Sequence, residues 1–320
     1  MAATAPDSFP ALSIGPLLVP GDSLAVIQAH GDEAHDFLQR MLTADVPRPG
    51  SGSSVLAGLC TPKGRLLALA RVIPQSDSLC LVLPQSIAAD TVQRLRMYVL
   101  RSKVTLTPRE GEWRLLQASG AEAQRGLAAQ GLPSPETPDT VLGTAEGILV
   151  VRLAGSGPRH WILGSAPTVS AIEEKLSDHL PTGSEEQWRL GEIAAGIPQI
   201  EATSRELFIP QMINLDHLGG VSFSKGCFPG QEVVARTHYR GQVKQRMHRA
   251  TGSGPPPLPG SEIRDPEGGL AGHTVSAVAT DGERYSALVS VRERALNEAI
   301  LTLEGAPIQI EHAPATEASA

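Results

Sequence analysis

Aromatic residues are scarce in this chain: five Phe, three Trp and three Tyr make up 3% of 320 residues. Its core must therefore be filled by Leu, Val, Ile and Ala, with each fully buried Val, Leu or Ile contributing about 1.5–3 kcal/mol. Cysteine is scarcer still. Cys60, Cys80 and Cys227 form no CxxC pair, which argues against a disulfide framework and fits a reducing compartment. The same scarcity argues against a zinc site or an iron–sulfur cluster held by this chain alone, since those take about four closely arranged ligands. Long apolar runs are missing as well, and no stretch nears the ~20 residues of a membrane span. The start, MAATAPDSFPALSIGPLLVPGD, lacks a basic opening and is interrupted by prolines, unlike a secretory or transit peptide. A cytoplasmic setting without a membrane partner is expected. HExxH, Ser/His/Asp spacing and a phosphate loop are all absent.

What is present is enough apolar sequence, 41%, for two or three units in one chain. Ser23–Ala29 reads as a strand and leads through Gly31-Asp32-Glu33 into a helix with Ala34, Phe37, Leu38, Met41 and Leu42 on one face. Val55–Cys60, Leu66–Ile73 and Leu79–Leu83 read as strands, the first two joined by the turn Thr61-Pro62-Lys63-Gly64. Ser86 is placed to cap a second helix. Strands at Val104–Thr107, Trp113–Gln117, Ile148–Leu153 and His160–Leu163 follow, with a helix through Val169, Ile172, Leu176 and Leu180 and another over Glu185–Ala195. This succession predicts an α+β fold of antiparallel sheets covered by helices. From Gln242 the pattern turns to short strands and Pro/Gly-rich turns, predicting a small antiparallel β-barrel. The expected boundaries are 15–241 for the α+β region, 242–312 for the barrel and 313–320 for a disordered tail. No internal repeat is evident.

The segment between the two parts stands apart in charge. From Lys225 to Arg249 there are six Lys and Arg against the single acid Glu232, a local charge of +5 in a chain of −7. A solvated connection would explain this, and so would an anion site. Glycines at 219, 220, 226, 230 and 241 permit tight turns or close approach to a ligand. Within Lys225-Gly226-Cys227-Phe228-Pro229-Gly230-Gln231-Glu232 a thiol lies beside a lysine, and a nearby cation raises a thiol's reactive, deprotonated fraction. A lone cysteine is otherwise a small inert hydrophobe, and that reading suits Cys60 and Cys80 in their apolar strands. The run Glu232–Thr237 fits strand or helix equally.

KGCFPGQE, followed by Ala235-Arg236, resembles the signature of the YgfZ family. The likeness extends to Phe208-Ile209-Pro210-Gln211, Asn214-Leu215, Leu218-Gly219-Gly220, Arg240-Gly241, Gln187-Trp188, Ala195-Gly196-Ile197-Pro198 and Thr43-Ala44-Asp45-Val46, and so spans nearly the whole chain. The resemblance implies a glycine-cleavage T-protein fold: two ferredoxin-like units forming a folate-binding region, with a C-terminal barrel, around a central hole. It implies tetrahydrofolate or a derivative as ligand, and a supporting role toward iron–sulfur enzymes such as the tRNA methylthiotransferase. Cys227 is then the functional thiol, and Trp188 and the position of Leu24 belong to folate recognition. Lys225, Gln231, Glu232, Arg236 and Arg240 are expected near the folate, with Glu232 alternatively paired to Lys225 or Arg236.

The alternative is a folate-dependent aminomethyltransferase. Those enzymes carry an acidic pair in the strand after the glycine turn, where this chain has Ala68 and Leu69. Neither side chain can stabilise charge or move a proton, so one-carbon transfer is not expected. Direct nucleic-acid binding is not expected either, given the overall acidic charge.

Overall fold

The computed structural model describes residues 14–239, 241, 243–280, 282–296 and 301–311. Arg240 and the tail 313–320 lie outside the described residues. The chain enters with β1 (Leu17–Pro20) and continues through β2 (Leu24–His30), α1 (Ala34–Met41), β3 (Val55–Cys60), β4 (Leu66–Pro74), β5 (Leu79–Pro84), α2 (Gln85–Val99) and β6 (Thr105–Pro108). Strands β2 to β6 form one antiparallel sheet in the order β3-β4-β5-β2-β6. Four of its strands, β4-β5-β2-β6, have the ferredoxin-like arrangement, with β3 added at one edge by the Thr61–Gly64 hairpin. A near-continuous apolar run holds this sheet in the interior: β4 is buried along its whole length because both of its faces are covered.

A second unit repeats the plan. It comprises β7 (Trp113–Ser119), α3 (Gly120–Ala129), β8 (Val141–Gly143), β9 (Leu149–Arg152), β10 (Arg159–Ser165) and α4 (Ala166–Ser177). Its sheet runs β1-β7-β10-β9-β8. The position a fourth ferredoxin strand would occupy is taken by β1, from the opposite end of the chain. β1 pairs antiparallel with β7, Leu17 opposite Ser119. On its other side, Leu18 N–H donates to Pro181 O at 2.9 Å and Gly183 N–H donates to Leu18 O at 2.8 Å. The two units are therefore a structural repeat whose sequences show no matching repeat.

Helix α5 (Glu185–Ala194) follows, closed at its start by a reciprocal cap. Gln187 N–H donates to Ser184 Oγ, and Ser184 N–H donates to Gln187 Oε1 at 2.8 Å. After the connecting segment comes α6 (Gln231–Tyr239), so the stretch left open between strand and helix is a helix. The barrel is closed and antiparallel. It is built from β11 (Gln245–Ser253), β12 (Glu262–Arg264), β13 (Leu270–Ala279), β14 (Arg284–Arg292), β15 (Leu301–Leu303) and β16 (Ala306–Glu311), with the short helix α7 (Glu293–Leu296) after β14. One sequence expectation is corrected. Ser86 does not cap α2, which starts at Gln85 without a side-chain cap; the Ser86 hydroxyl instead donates to Glu201 Oε2 at 2.6 Å.

Candidate functional site

The two sheets turn one face toward each other, and a small cleft of about 40 Å³ lies between them, closed on a third side by α5 and the residues after it. Period-two alternation on β4 aims Leu69 and Arg71 into it, and the same rule on β10 aims Arg159 and Trp161. Glu192 from α5, Gln199 and Leu24 complete the wall. An arginine in the middle of the apolar strand LLALARVIP is a buried charge and needs partners. Arg71 has them: it donates to Ser54 Oγ at 3.0 Å and is paired with Asp139.

Arg159 is less completely satisfied. One nitrogen, Nη1, donates to Ala154 O at 3.0 Å, and Nη2 stands 3.6 Å from Glu192 Oε1, beyond hydrogen-bond reach. Its Nε and Nη2 groups are buried without a hydrogen-bond partner, and so is Gln199 Oε1. Burial brings the Arg159 pKa down to about 10, with Glu192 opposing that shift. Burial likewise pushes the Glu192 carboxyl above the usual carboxylate range, while Arg159 pulls it back. Gln199 Nε2 donates to the other Glu192 oxygen at 2.7 Å. Both residues line the cleft, which thus holds unsatisfied donors and an unsatisfied acceptor, a combination a native interior rarely tolerates without a ligand or water.

Trp188 lies behind this wall. It is buried, and the Arg159 guanidinium covers its ring at 4.5 Å from the centroid. Its indole N–H makes no well-formed hydrogen bond, though it helps hold the Glu192 carboxyl down. Trp161 is the tryptophan that faces the cleft, oriented by its N–H donating to Gln117 Oε1 at 3.3 Å. Half-buried Leu24 separates the cleft from a second pocket of about 370 Å³ and lines both.

The signature segment sits elsewhere on the first unit, and none of its residues lines the cleft. It is laid down by contacts from two other segments shared with the family pattern. Thr43 is the anchor: its hydroxyl donates to Gly220 O at 2.6 Å, and its carbonyl accepts from Ser222 N–H at 2.9 Å. The Lys225 ammonium donates to Leu42 O and Ala44 O, at 2.7 and 2.6 Å. Burial lowers the Lys225 pKa to about 8, against a smaller opposing pull from Asp45. Gln211 Nε2 donates to Val234 O, tying α6 down, and Asn214 exchanges hydrogen bonds with Met247 in β11.

Gly230 shows why glycine is required in this loop. Its φ is +80°, and an added Cβ would stand 2.5 Å from Thr61 O and 2.6 Å from Gly64 Cα. The turn of the β3–β4 hairpin and the signature loop meet there, backbone against backbone. The loop that results presents Cys227 to solvent, whereas Cys60 and Cys80 are buried and burial pushes their thiols up to about 12. Gln231 is half-buried; Glu232 and Arg236 are exposed and have no ion pair among the described residues. The structure therefore groups Leu24 with the cleft, Trp188 behind it, and Lys225, Cys227, Gln231, Glu232 and Arg236 around a separate surface loop. Sequence reasoning passed over Arg71, Arg159, Trp161 and Glu192. The one available signal was a charge inside an apolar strand or helix pattern.

The architecture defines an aminomethyltransferase-type α+β protein with a C-terminal barrel. The fold matches that of the glycine cleavage system aminomethyltransferase T from Bartonella henselae, with a TM-score of 0.75 at 17% identity over 95% of this chain and 87% of that one. No protein-family model matches the sequence. Similar proteins are the tRNA-modifying protein YgfZ of Cronobacter sakazakii, 31% identical over 85% of this chain and 83% of that protein, and its counterpart in Colwellia psychrerythraea, 31% identical over 77% and 76%. The tRNA-modifying protein YgfZ of Hamiltonella defensa is 34% identical over 71% of this chain and 67% of its own. The chain belongs to the YgfZ family.

Proposed function

We propose that this protein is a cytoplasmic folate-binding accessory factor that supports the assembly or repair of iron–sulfur enzymes, including those that modify tRNA. The observation that carries the folate part is the pair of unsatisfied groups in the cleft, the Arg159 donors and the Gln199 acceptor. A reduced pteridine presents donors and acceptors along one planar edge, and such an edge would satisfy both kinds at once. Arg71, Glu192 and Trp161 would complete the polar and stacking contacts. At about 40 Å³ the cleft is too small for a pteridine ring, so binding requires Leu24 to move and join it to the adjoining pocket. Tetrahydrofolate carries one-carbon units and reducing equivalents. Leu69 faces the cleft where a transferase has an acid, which favours the accessory reading.

Cys227 is the group proposed to meet the iron–sulfur client, being exposed in a loop held rigidly at Thr43, Lys225 and Gly230. Titration of tetrahydrofolate into the protein, followed by tryptophan fluorescence, tests the first half. Quenching is expected, lost in Trp161→Phe and weakened at least tenfold in Arg159→Met. Absence of binding up to millimolar folate rejects it.

A further inference from the structure

Where α6 ends against the barrel there is a second surface feature, apart from the cleft. An open cavity of about 740 Å³ lies there, with Ile209 and Met212 in its floor and Thr237, Lys244, Arg292 and Arg294 among its walls. Lys244, Arg292 and Arg294 make no ion pair among the described residues. Their neighbours on β11 do, Arg246 with Asp216 at 2.7 Å and Arg249 with Glu311. One acid, Glu293, shares the cavity, and its backbone N–H donates to Lys244 O. Three cations without an ion pair among the described residues surround one opening in a chain of net charge −7, which makes the opening locally positive.

The last turn of α6, which lends Thr237 to the cavity wall, also carries His238 and Tyr239, and Phe223 packs against both. Phe223 stacks on His238 at 3.8 Å with 14° between planes, and Tyr239 stands edge-on to His238 at 4.8 Å. Tyr239 is 68% exposed. Phe, Trp and Tyr together are 3% of this chain, so two of them meeting a histidine at an exposed helix end call for a reason. Thr237, which lines the cavity, is the immediate neighbour of His238 on the helix. Phosphate-seeking cations next to an exposed aromatic platform are the two components of a site for single-stranded nucleic acid.

We infer that the α6–barrel cavity binds a nucleoside phosphate, with Lys244, Arg292 and Arg294 holding the phosphate and the exposed Tyr239 ring receiving the base. The shared chemistry has two sources, a free nucleotide or a strand of RNA. This inference is independent of the folate reading and is tested without folate. A fluorescein-labelled RNA octamer is titrated with the full chain at 25–200 mM KCl, with fluorescence anisotropy as readout. Three phosphate contacts give a log–log salt slope of about −2, and Arg292→Gln with Arg294→Gln brings it to about −0.7. Tyr239→Ala weakens binding about tenfold with the slope unchanged, as expected for loss of one stacked base.

Competition by a nucleoside diphosphate at equal phosphate concentration identifies the free nucleotide as ligand; competition by unlabelled RNA alone identifies the strand. Either result supports the site. The inference is overturned if the octamer does not bind, if Tyr239→Ala leaves affinity unchanged, or if hexaglutamate displaces RNA as well as RNA does. The last outcome would mark a bare anion site. Tyr239 and Arg294 are exposed and Arg292 is half-buried, so an unchanged melting temperature in each variant is the control for folding.

Discussion

The guanidinium of Arg159 rests 4.5 Å from the centre of the Trp188 ring and 3.6 Å from the Glu192 carboxylate, so one buried cation serves an aromatic face and a buried acid together. Removing it strands Glu192 without its main positive neighbour. Arg159→Met should destabilise the fold by about 3–5 kcal/mol in urea unfolding, the usual cost of breaking a buried pair on one side. Combining it with Glu192→Gln should recover much of that loss. Equal stability of the single and double variants would show that the pair does not act as a unit.

The same carboxyl makes a pH prediction. A folded-state pKa above the unfolded value means the native state holds its proton longer, so stability falls as pH rises from the unfolded carboxylate range through the folded pKa. Unfolding free energy followed from pH 4 upward should show this decline, and Glu192→Gln should flatten it.

Lys225 behaves in the opposite sense. Its pKa near 8 lies below the unfolded value of 10.5, so the native state releases a proton earlier and stability should rise between about pH 8 and 10.5. In Lys225→Met this rise should vanish. The variant should also lose the two carbonyl contacts at Leu42 and Ala44, exposing the loop to faster proteolysis.

Gly230→Ala should be among the most damaging small substitutions in the chain. A Cβ there collides with Thr61 O and Gly64 Cα, both backbone atoms that cannot swing aside, and φ is already positive. Loss of soluble expression, or a drop in melting temperature of more than about 8 °C, is the expected result. Gly226→Ala, with nothing within 4 Å of its added Cβ, is the matched control and should be nearly silent.

Cys227→Ala should leave stability within about 0.5 kcal/mol of the parent, because the side chain is exposed. It should nevertheless abolish rescue of tRNA methylthiolation in a strain lacking the protein. Full rescue would remove the thiol from the proposed function.

Contiguous features were legible in the sequence. Strand β4 could be read from its apolar run, the barrel from its turns, and the signature from eight adjacent residues. Features made by distant segments were not. Arg71 announced a buried charge, but its partner Asp139 lies 68 positions away. Thr43 and Lys225 were matched separately to the family pattern, and only folding shows that one strap is fastened to the other. Ser86 looked like a cap because it precedes a helix pattern, yet the helix begins one residue earlier, at Gln85, which puts Ser86 inside the first turn. Strand β1 was overlooked because four residues, LLVP, followed by Gly21-Asp22, give too short an alternation to distinguish strand from loop. The repeat of the two units was hidden for a related reason: its fourth strand is not where a repeat search would look.

That displaced strand governs how the protein is made. The first ferredoxin-like unit, β2 to β6, is contiguous and can close as soon as it leaves the ribosome. The second cannot be finished from its own sequence, because its edge waits for residues synthesised before everything else. Leu17–Pro20 must stay unpaired until β7 emerges some ninety residues later, a window in which a free apolar strand can join the wrong edge. Moving residues 14–21 to follow Pro181 through a short linker would restore chain order to the second unit, since Leu18 already bonds to Pro181 and Gly183. A permutant of that kind should fold faster than the parent and aggregate less during refolding.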